Sequence, residues 1–403
     1  MRFSALVFMD QPTGIVSARH RSKKWSGIFY WLVAALFSLA AALFISSIWA
    51  AALAEMEIVA ATEFASVSIP VKLAAARVKP PRQTAKGLYL TAYSAGNPKK
   101  MEEIIKLIGE TELNAVVIDI KDYTGYVLYD SHAPLVKKFK TEKILIRNLS
   151  ALIRRLHEHK IYVIARQTVF QDPALAEKKP EWAFADRGGG VWRDKKGLSW
   201  VDATRPEVWA YNLAIAREAI GLGFDEINFD YVRFPSDGDL SRAVYRNGAS
   251  KRYEVMGKFY SYLSEKLADE PAWISVDMFG LVMERKGEDD MNIGQRLIDA
   301  VNVVDYVSPM LYPSHYPVGH LGLTNPADNP GLVIAHDMEE GIPRFTGTRA
   351  EVRPWIQAFN LGAVYDGAKI REEIDAVEKY SSAGWMLWNA SNRYSDAGLD
   401  PAE

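Results

Sequence analysis

From residue 87 onward, short runs of β-branched and aromatic residues alternate with stretches of helical periodicity. That alternation restricts the chain to folds in which helices cover a parallel sheet. Eight strands are expected, at 87–93, 115–121, 161–167, 225–231, 273–279, 304–311, 352–359 and 384–389. Helical patterns fall between them at 99–109, 148–159, 207–222, 252–268, 294–300 and 367–380. A doubly wound open sheet gives similar local patterns, but a count of eight favours a TIM (β/α)8 barrel. Little chain follows the eighth strand, so the eighth helix is short or absent, and residues within 55–80 are candidates to fill its place.

The region before the barrel is segregated in charge. Residues 25–54 contain no Asp, Glu, Lys or Arg, whereas about 20 apolar residues suffice to span a bilayer. Residues 1–24 carry a net charge of +4, which predicts an N-terminus inside the cell and the rest outside. Ala52-Leu53-Ala54 also has the small-x-small form of a signal cleavage site, so an uncleaved anchor and a signal cleaved near Ala54 both remain open. The expected organisation is a basic tail at 1–24, the anchor or signal at 25–54, a linker with a Pro80-Pro81 step at 55–85, and one barrel at 86–403. Both readings place the barrel in the periplasm or outside the cell. The near-balance of 48 basic and 50 acidic residues argues against a nucleic-acid partner, and the absence of cysteine excludes thiolate metal sites and cysteine nucleophiles.

Strand four concentrates the polar signal. Alternation puts Glu226, Asn228 and Asp230 on one face, and an inward polar triplet is costly unless paired. Asp230 lies at the C-terminal end of the strand, where TIM-barrel chemistry resides; Glu226 lies deeper, where a structural ion pair is expected. Asp277 is the one acid in an otherwise apolar strand five, again near its C-terminal end. Carboxylates on neighbouring strand ends suit the ~5–5.5 Å spacing of a retaining glycosidase, one as nucleophile and one as general acid/base. Either could instead be a paired structural acid.

Asp119 and Lys121 on strand two and Arg166 on strand three are candidate sugar ligands, or charges that neutralise each other in the barrel mouth. Arg233 after strand four, and Tyr312 with His315 after strand six, join them as positioning groups. Trp192, Trp200, Trp355, Trp385 and Trp388 are candidate platforms for the apolar faces of sugars, Trp192 and Trp388 foremost, although most barrel tryptophans are core, and alternation prevents Trp385 and Trp388 from both pointing inward. No His-Glu-x-x-His helix, glycine-rich phosphate loop or serine elbow is present. The two-carboxylate chemistry requires no metal or cofactor.

Ile118-Asp119-Ile120-Lys121-Asp122, residues 166–173, Phe224-Asp225-Glu226-x-x-Phe229-Asp230-Tyr231-Val232-Arg233-Phe234-Pro235, and the segments at 275–280, 310–316, 353–359 and 385–390 together resemble one family. It is the putative glycoside hydrolase domain family, bacterial exported proteins formerly counted as a domain of unknown function. The resemblance covers residues 86–395 and implies a TIM barrel acting on a carbohydrate polymer or oligosaccharide. The chain departs from the family pattern at Asn228, where Gln is common, and at Ala358, where an Asp follows the Arg-Pro-Trp-x-Gln stretch. The expected activity is hydrolysis of a cell-envelope or exported polysaccharide, with a noncatalytic glycan-binding scaffold as the alternative.

Overall fold

The expected strands close into a ring in a computed structural model that describes residues 79–246 and 250–402. They are β1 (Ala85–Leu90), β2 (Ala115–Lys121), β3 (Tyr162–Thr168), β4 (Glu226–Asp230), β5 (Trp273–Phe279), β6 (Tyr306–Leu311), β7 (Trp355–Gln357) and β8 (Gly384–Trp388). Each pairs in parallel with the next, and β8 returns to β1, completing a TIM barrel. The 25–54 run and the 1–24 tail lie outside the described residues. Among the described residues no helix is long and apolar enough to cross a membrane.

Around the ring stand α1 (Pro98–Glu110), α2 (Leu149–Glu158), α3 (Pro206–Leu222), α4 (Arg252–Lys266), α5 (Pro330–Gly341) and α6 (Gly367–Glu378). Their boundaries follow local chemistry. Asn97 caps α1 by accepting from the Lys99 and Lys100 amides, and Pro98 takes the first helical position, where no amide is needed. Met101, Ile104, Ile105 and Ile108 then form its buried face, each burial worth roughly 1.5–3 kcal/mol. Gly223 ends α3 at a φ of 109°, a left-handed cap favoured by glycine.

The structure departs from the sequence expectation at three places along the barrel. The helix expected at 294–300 is reduced to Leu297–Ala300. Helix α5 was not anticipated, because Asn329-Pro330-Gly331 reads as a turn; here Pro330 is instead the opening residue of the helix. The seventh strand is split: Glu351–Val352 and Trp355–Gln357 pair with β6 in succession, interrupted at Arg353-Pro354, where proline offers no amide. Among the described residues no helix follows β8, in line with the short or absent eighth helix expected from the sequence. The C-terminal segment turns back toward α1, where the Glu112 amide donates to the Asp400 carbonyl (2.8 Å) and Arg371 bonds Glu112 and Asp400.

Residues 79–84, expected within the linker, pack across the N-terminal ends of the strands. Lys79 pairs with Asp305 (2.7 Å), and Arg82 pairs with Glu351 (2.7 Å) while its guanidinium lies over Trp273. The barrel therefore begins several residues before its first strand.

Inside the barrel, Glu226 meets Arg353, accepts from the Tyr162 hydroxyl (3.1 Å), and leaves the Arg353 guanidinium stacked 4.1 Å over Tyr306. Both charged side chains are fully buried, so each depends on the other for compensation. Arg353→Met alone is expected to cost about 3–5 kcal/mol in urea unfolding, whereas the double variant Glu226→Met/Arg353→Met should recover most of that loss. The deep acid of strand four is a structural group.

Candidate active site

Above that plug, the inward residues of β1 to β5 build a carboxylate cluster around one guanidinium. Arg166, from β3, donates through Nη1 to Asp119 Oδ1 (2.6 Å) and through Nη2 to Asp230 Oδ2, and its Nε stands 3.8 Å from Asp277 Oδ2. Register explains the grouping: Arg166 pairs with Asp119 on β2 and with Asn228 on β4, so these residues share one layer. Asp230 stands two residues further up β4. The next residue, Tyr231, has a φ of 53°, a strained conformation for a non-glycine residue at the strand end that carries the acid.

Asp277 is 1% exposed. Its Oδ1 accepts from Asn228 Nδ2 (2.8 Å) and from Trp355 Nε1 (2.8 Å), while Oδ2 has no hydrogen-bond partner. Burial, reinforced by the nearby Asp230 charge, pushes its pKa well above the usual carboxylate range, against the opposing effects of Arg166 and the two donors. Two N–H groups hold Oδ1 as an acceptor, so Oδ2 is the oxygen left open to carry a proton. Asp119 is also raised by burial, to about 6, opposed by Arg166 and by the Tyr89 hydroxyl that donates to its Oδ2 (2.6 Å).

A cleft of about 130 Å³ opens over this cluster, lined by Arg166, Asp230, Tyr231, Arg233, Asp277, Phe279, Met310, Tyr312, Trp355 and Trp388. Trp388 stacks on Tyr89 with ring centroids 4.0 Å apart and meets Trp355 edge-on at 5.5 Å, giving the cleft an aromatic wall. Trp385 points outward instead and donates to Glu378, as strand alternation requires. Arg233 lies between the rings of Trp200, Tyr231 and Phe279, and its Nη1 donates to the Phe234 carbonyl and Ser236 Oγ rather than to a carboxylate.

The candidates from the sequence thus divide. Asp230, Asp277, Arg166, Arg233, Tyr312 and Trp388 line the cleft, and Asp119 and Asn228 lie directly behind it, holding Arg166 and Asp277. Lys121 does not join them. The ladder shifts register between Asp119 and Lys121, which breaks the alternation, and Lys121 is sealed against Asp172 (2.8 Å) and the Thr168 carbonyl (2.7 Å). Trp192 is also no platform: it is 1% exposed in the core, with its indole N–H on the Asp239 carbonyl. His315 is exposed beside Ser314 and is absent from the cleft lining. Tyr89, Tyr231, Phe279 and the Trp355 N–H were not singled out in these roles. Their part depends on cross-barrel contacts, although alternation along β1 and β7 already marks Tyr89 and Trp355 as inward.

Residues 87–394 match a family described as a putative glycosyl hydrolase domain. The chain belongs to that family. As a member of the putative glycosyl hydrolase domain family, it is assigned as a putative glycoside hydrolase. Structures of similar fold include the glycoside hydrolase domain of PgaB (BpsB) from Bordetella bronchiseptica, with 12% identity, a TM-score of 0.53, and 76% of this chain and 94% of that chain covered. The alpha-galactosidase of Thermus thermophilus in complex with stachyose has 13% identity and a TM-score of 0.50, over 80% of this chain and 64% of its own. A hypothetical protein from Ruminiclostridium thermocellum is 37% identical over 47% of this chain and 96% of its own, with a TM-score of 0.45. No curated protein matches the chain.

Proposed function

We propose that the chain is an exported glycosidase that cleaves a cell-envelope or exported polysaccharide by a retaining, two-carboxylate mechanism. The observation that carries this reading is the contrast between two acids facing one cleft: Asp230 accepts a hydrogen bond from Arg166, whereas burial raises the Asp277 pKa well above the usual carboxylate range and its Oδ2 has no hydrogen-bond partner, which suits it to carry the proton. Unlike environments assign unlike roles to carboxyl groups. Asp230 attacks the anomeric carbon, the glycosidic C–O bond breaks, and the Asp277 proton passes to the leaving oxygen. Asp277, now a carboxylate, takes a proton from water as that water attacks the same carbon and releases Asp230. Each Asp230 oxygen keeps a free lone pair for the attack despite its hydrogen bonds. Trp388 and Tyr312 meet the sugar ring, and Arg233 positions its hydroxyls.

The uncharged run at 25–54 behind a basic tail supports membrane tethering, with the barrel outside the cytoplasm. One observation favours the noncatalytic glycan-binding alternative, namely that Asp230 and Asp277 are only 3% and 1% exposed. Single-turnover hydrolysis of a panel of envelope and exported polysaccharides separates the two. The glycosidase reading expects turnover by the full-length chain that is lost in Asp230→Asn; binding of a glycan that is never cleaved favours the scaffold.

A further inference from the structure

Away from the cleft, three side chains from distant parts of the sequence point at one another without the partners that such groups need. Glu284 follows the turn after β5, His320 belongs to the loop after β6, and Asp337 lies on α5. One ligand atom from each falls within 4.8 Å of the others. His320 Nε2 and Glu284 Oε1 are 3.2 Å apart without hydrogen-bond geometry, and Asp337 Oδ1 also lacks a hydrogen-bond partner. Asp337 is fully buried. Its other oxygen accepts from the Tyr316 hydroxyl, and among the described residues no lysine or arginine is ion-paired with either carboxylate.

Two adjacent carboxylates that share only an imidazole, with no lysine or arginine, are unfavourable in a partly dry site, and a bound cation relieves both the repulsion and the missing bonds. We propose that Glu284, His320 and Asp337 form a structural site for a divalent transition metal of the zinc type. The imidazole nitrogen selects against magnesium and calcium, which prefer all-oxygen shells, while the two carboxylates supply the charge. The His320–Glu284 separation already matches the ~3.3 Å between ligands on a tetrahedral zinc with bonds of about 2 Å, and only a modest side-chain adjustment brings in Asp337. Tyr316 supports the site twice: it bonds the second Asp337 oxygen, and its ring lies against the His320 ring, tilted by 44° with centroids 4.7 Å apart. That hydroxyl orients the carboxylate ligand as outer partners of metal sites do.

The location gives the metal a purpose. The β5 and β6 segments that enter these loops also supply Phe279, Met310 and Tyr312 to the cleft. Gly280 fits between them because a Cβ there would stand 2.4 Å from the Met310 carbonyl oxygen and 2.6 Å from the Tyr316 hydroxyl. A metal bridging Glu284, His320 and α5 therefore fixes the loops that form one rim of the candidate active site. No step of catalysis passes through it, so the proposal does not depend on the hydrolytic assignment.

The test is metal titration of the full-length chain after chelator treatment and dialysis. Wild type is expected to bind one equivalent of Zn²⁺ more than His320→Ala and Asp337→Asn, and to gain roughly 5 °C in Tm that neither variant shows. Glu340→Gln, an exposed acid on the same helix, should behave as wild type. Equal zinc binding by wild type and His320→Ala overturns the proposal. Should the variants fail to fold, Co²⁺ added to the wild type decides: a visible absorption band of four- or five-coordinate cobalt is expected, and its absence overturns the site.

Discussion

Asp277→Asn is expected to lower kcat on a natural polysaccharide by about 10²–10⁴-fold, because it removes the proton that the leaving oxygen needs. The substitution is nearly isosteric, and its amide oxygen can still accept from Asn228 and Trp355, so stability should change little. An aryl glycoside whose leaving group needs no proton should escape most of the defect in its first step. Asp230→Asn should behave differently, losing both substrates alike because the attacking atom is gone. The pH profile carries the same signature. Burial raises the Asp277 pKa, so wild-type kcat should fall as pH rises through that shifted value, and the alkaline limb should be absent with the aryl glycoside.

Arg166→Met should be the most damaging substitution for stability. One guanidinium bonds Asp119 and Asp230 and approaches Asp277, and its loss leaves three buried acids without the cation they share. The expected cost near neutral pH is about 3–5 kcal/mol, read from urea midpoints. The sign of the pH dependence follows from Asp119, whose folded pKa of about 6 lies above its unfolded value. Its contribution is fully present below the ordinary carboxylate pKa and is lost as pH rises through about 6. Without Arg166 the Asp119 and Asp277 carboxyls rise further, so the variant should lose stability between pH 5 and pH 8 more steeply than wild type. A constant deficit across that range would mean that Arg166 acts through packing rather than charge.

The parts of this molecule that were legible in the sequence are those set by local pattern. β2 and β5 run over the expected residues because their apolar runs are broken only by isolated polar residues, and the alternation of Glu226, Asn228 and Asp230 correctly reads as one inward column. Asp277 reads as exceptional because it is a lone acid within apolar neighbours. Lys121 shows where such reasoning stops: a single register shift after Asp119 turned it away from the cleft, and no local sequence cue marks that bulge. Trp192 was unreadable for a different reason. Its burial comes from a satellite core in the long loop after β3, where Phe184 contacts Phe234 and Tyr245 from the loop after β4. The Glu284, His320 and Asp337 cluster lies deepest in tertiary structure, because residues separated by 36 and 17 positions carry no spacing signature of a metal site.

The departure at Ala358 has a limited structural consequence. It sits just past β7, where its amide donates to the Trp388 carbonyl (3.0 Å) and its carbonyl accepts from Asn389, and it is not among the residues lining the cleft. The backbone contacts that shape this edge of the cleft do not depend on a side chain at that position.

The central claim concerns which carboxylate forms a bond to sugar. Once the hydrolysed sugar is found in the polysaccharide panel, the most direct measurement is peptide mass spectrometry of the full-length chain after reaction with the matching 2-fluoro glycoside, which slows release of a covalent intermediate. The account predicts a glycosyl adduct on the peptide carrying Asp230, formed by wild type and absent in Asp230→Asn. An adduct on Asp277 or on another acid, or turnover with inversion of the anomeric centre and no adduct, would contradict it.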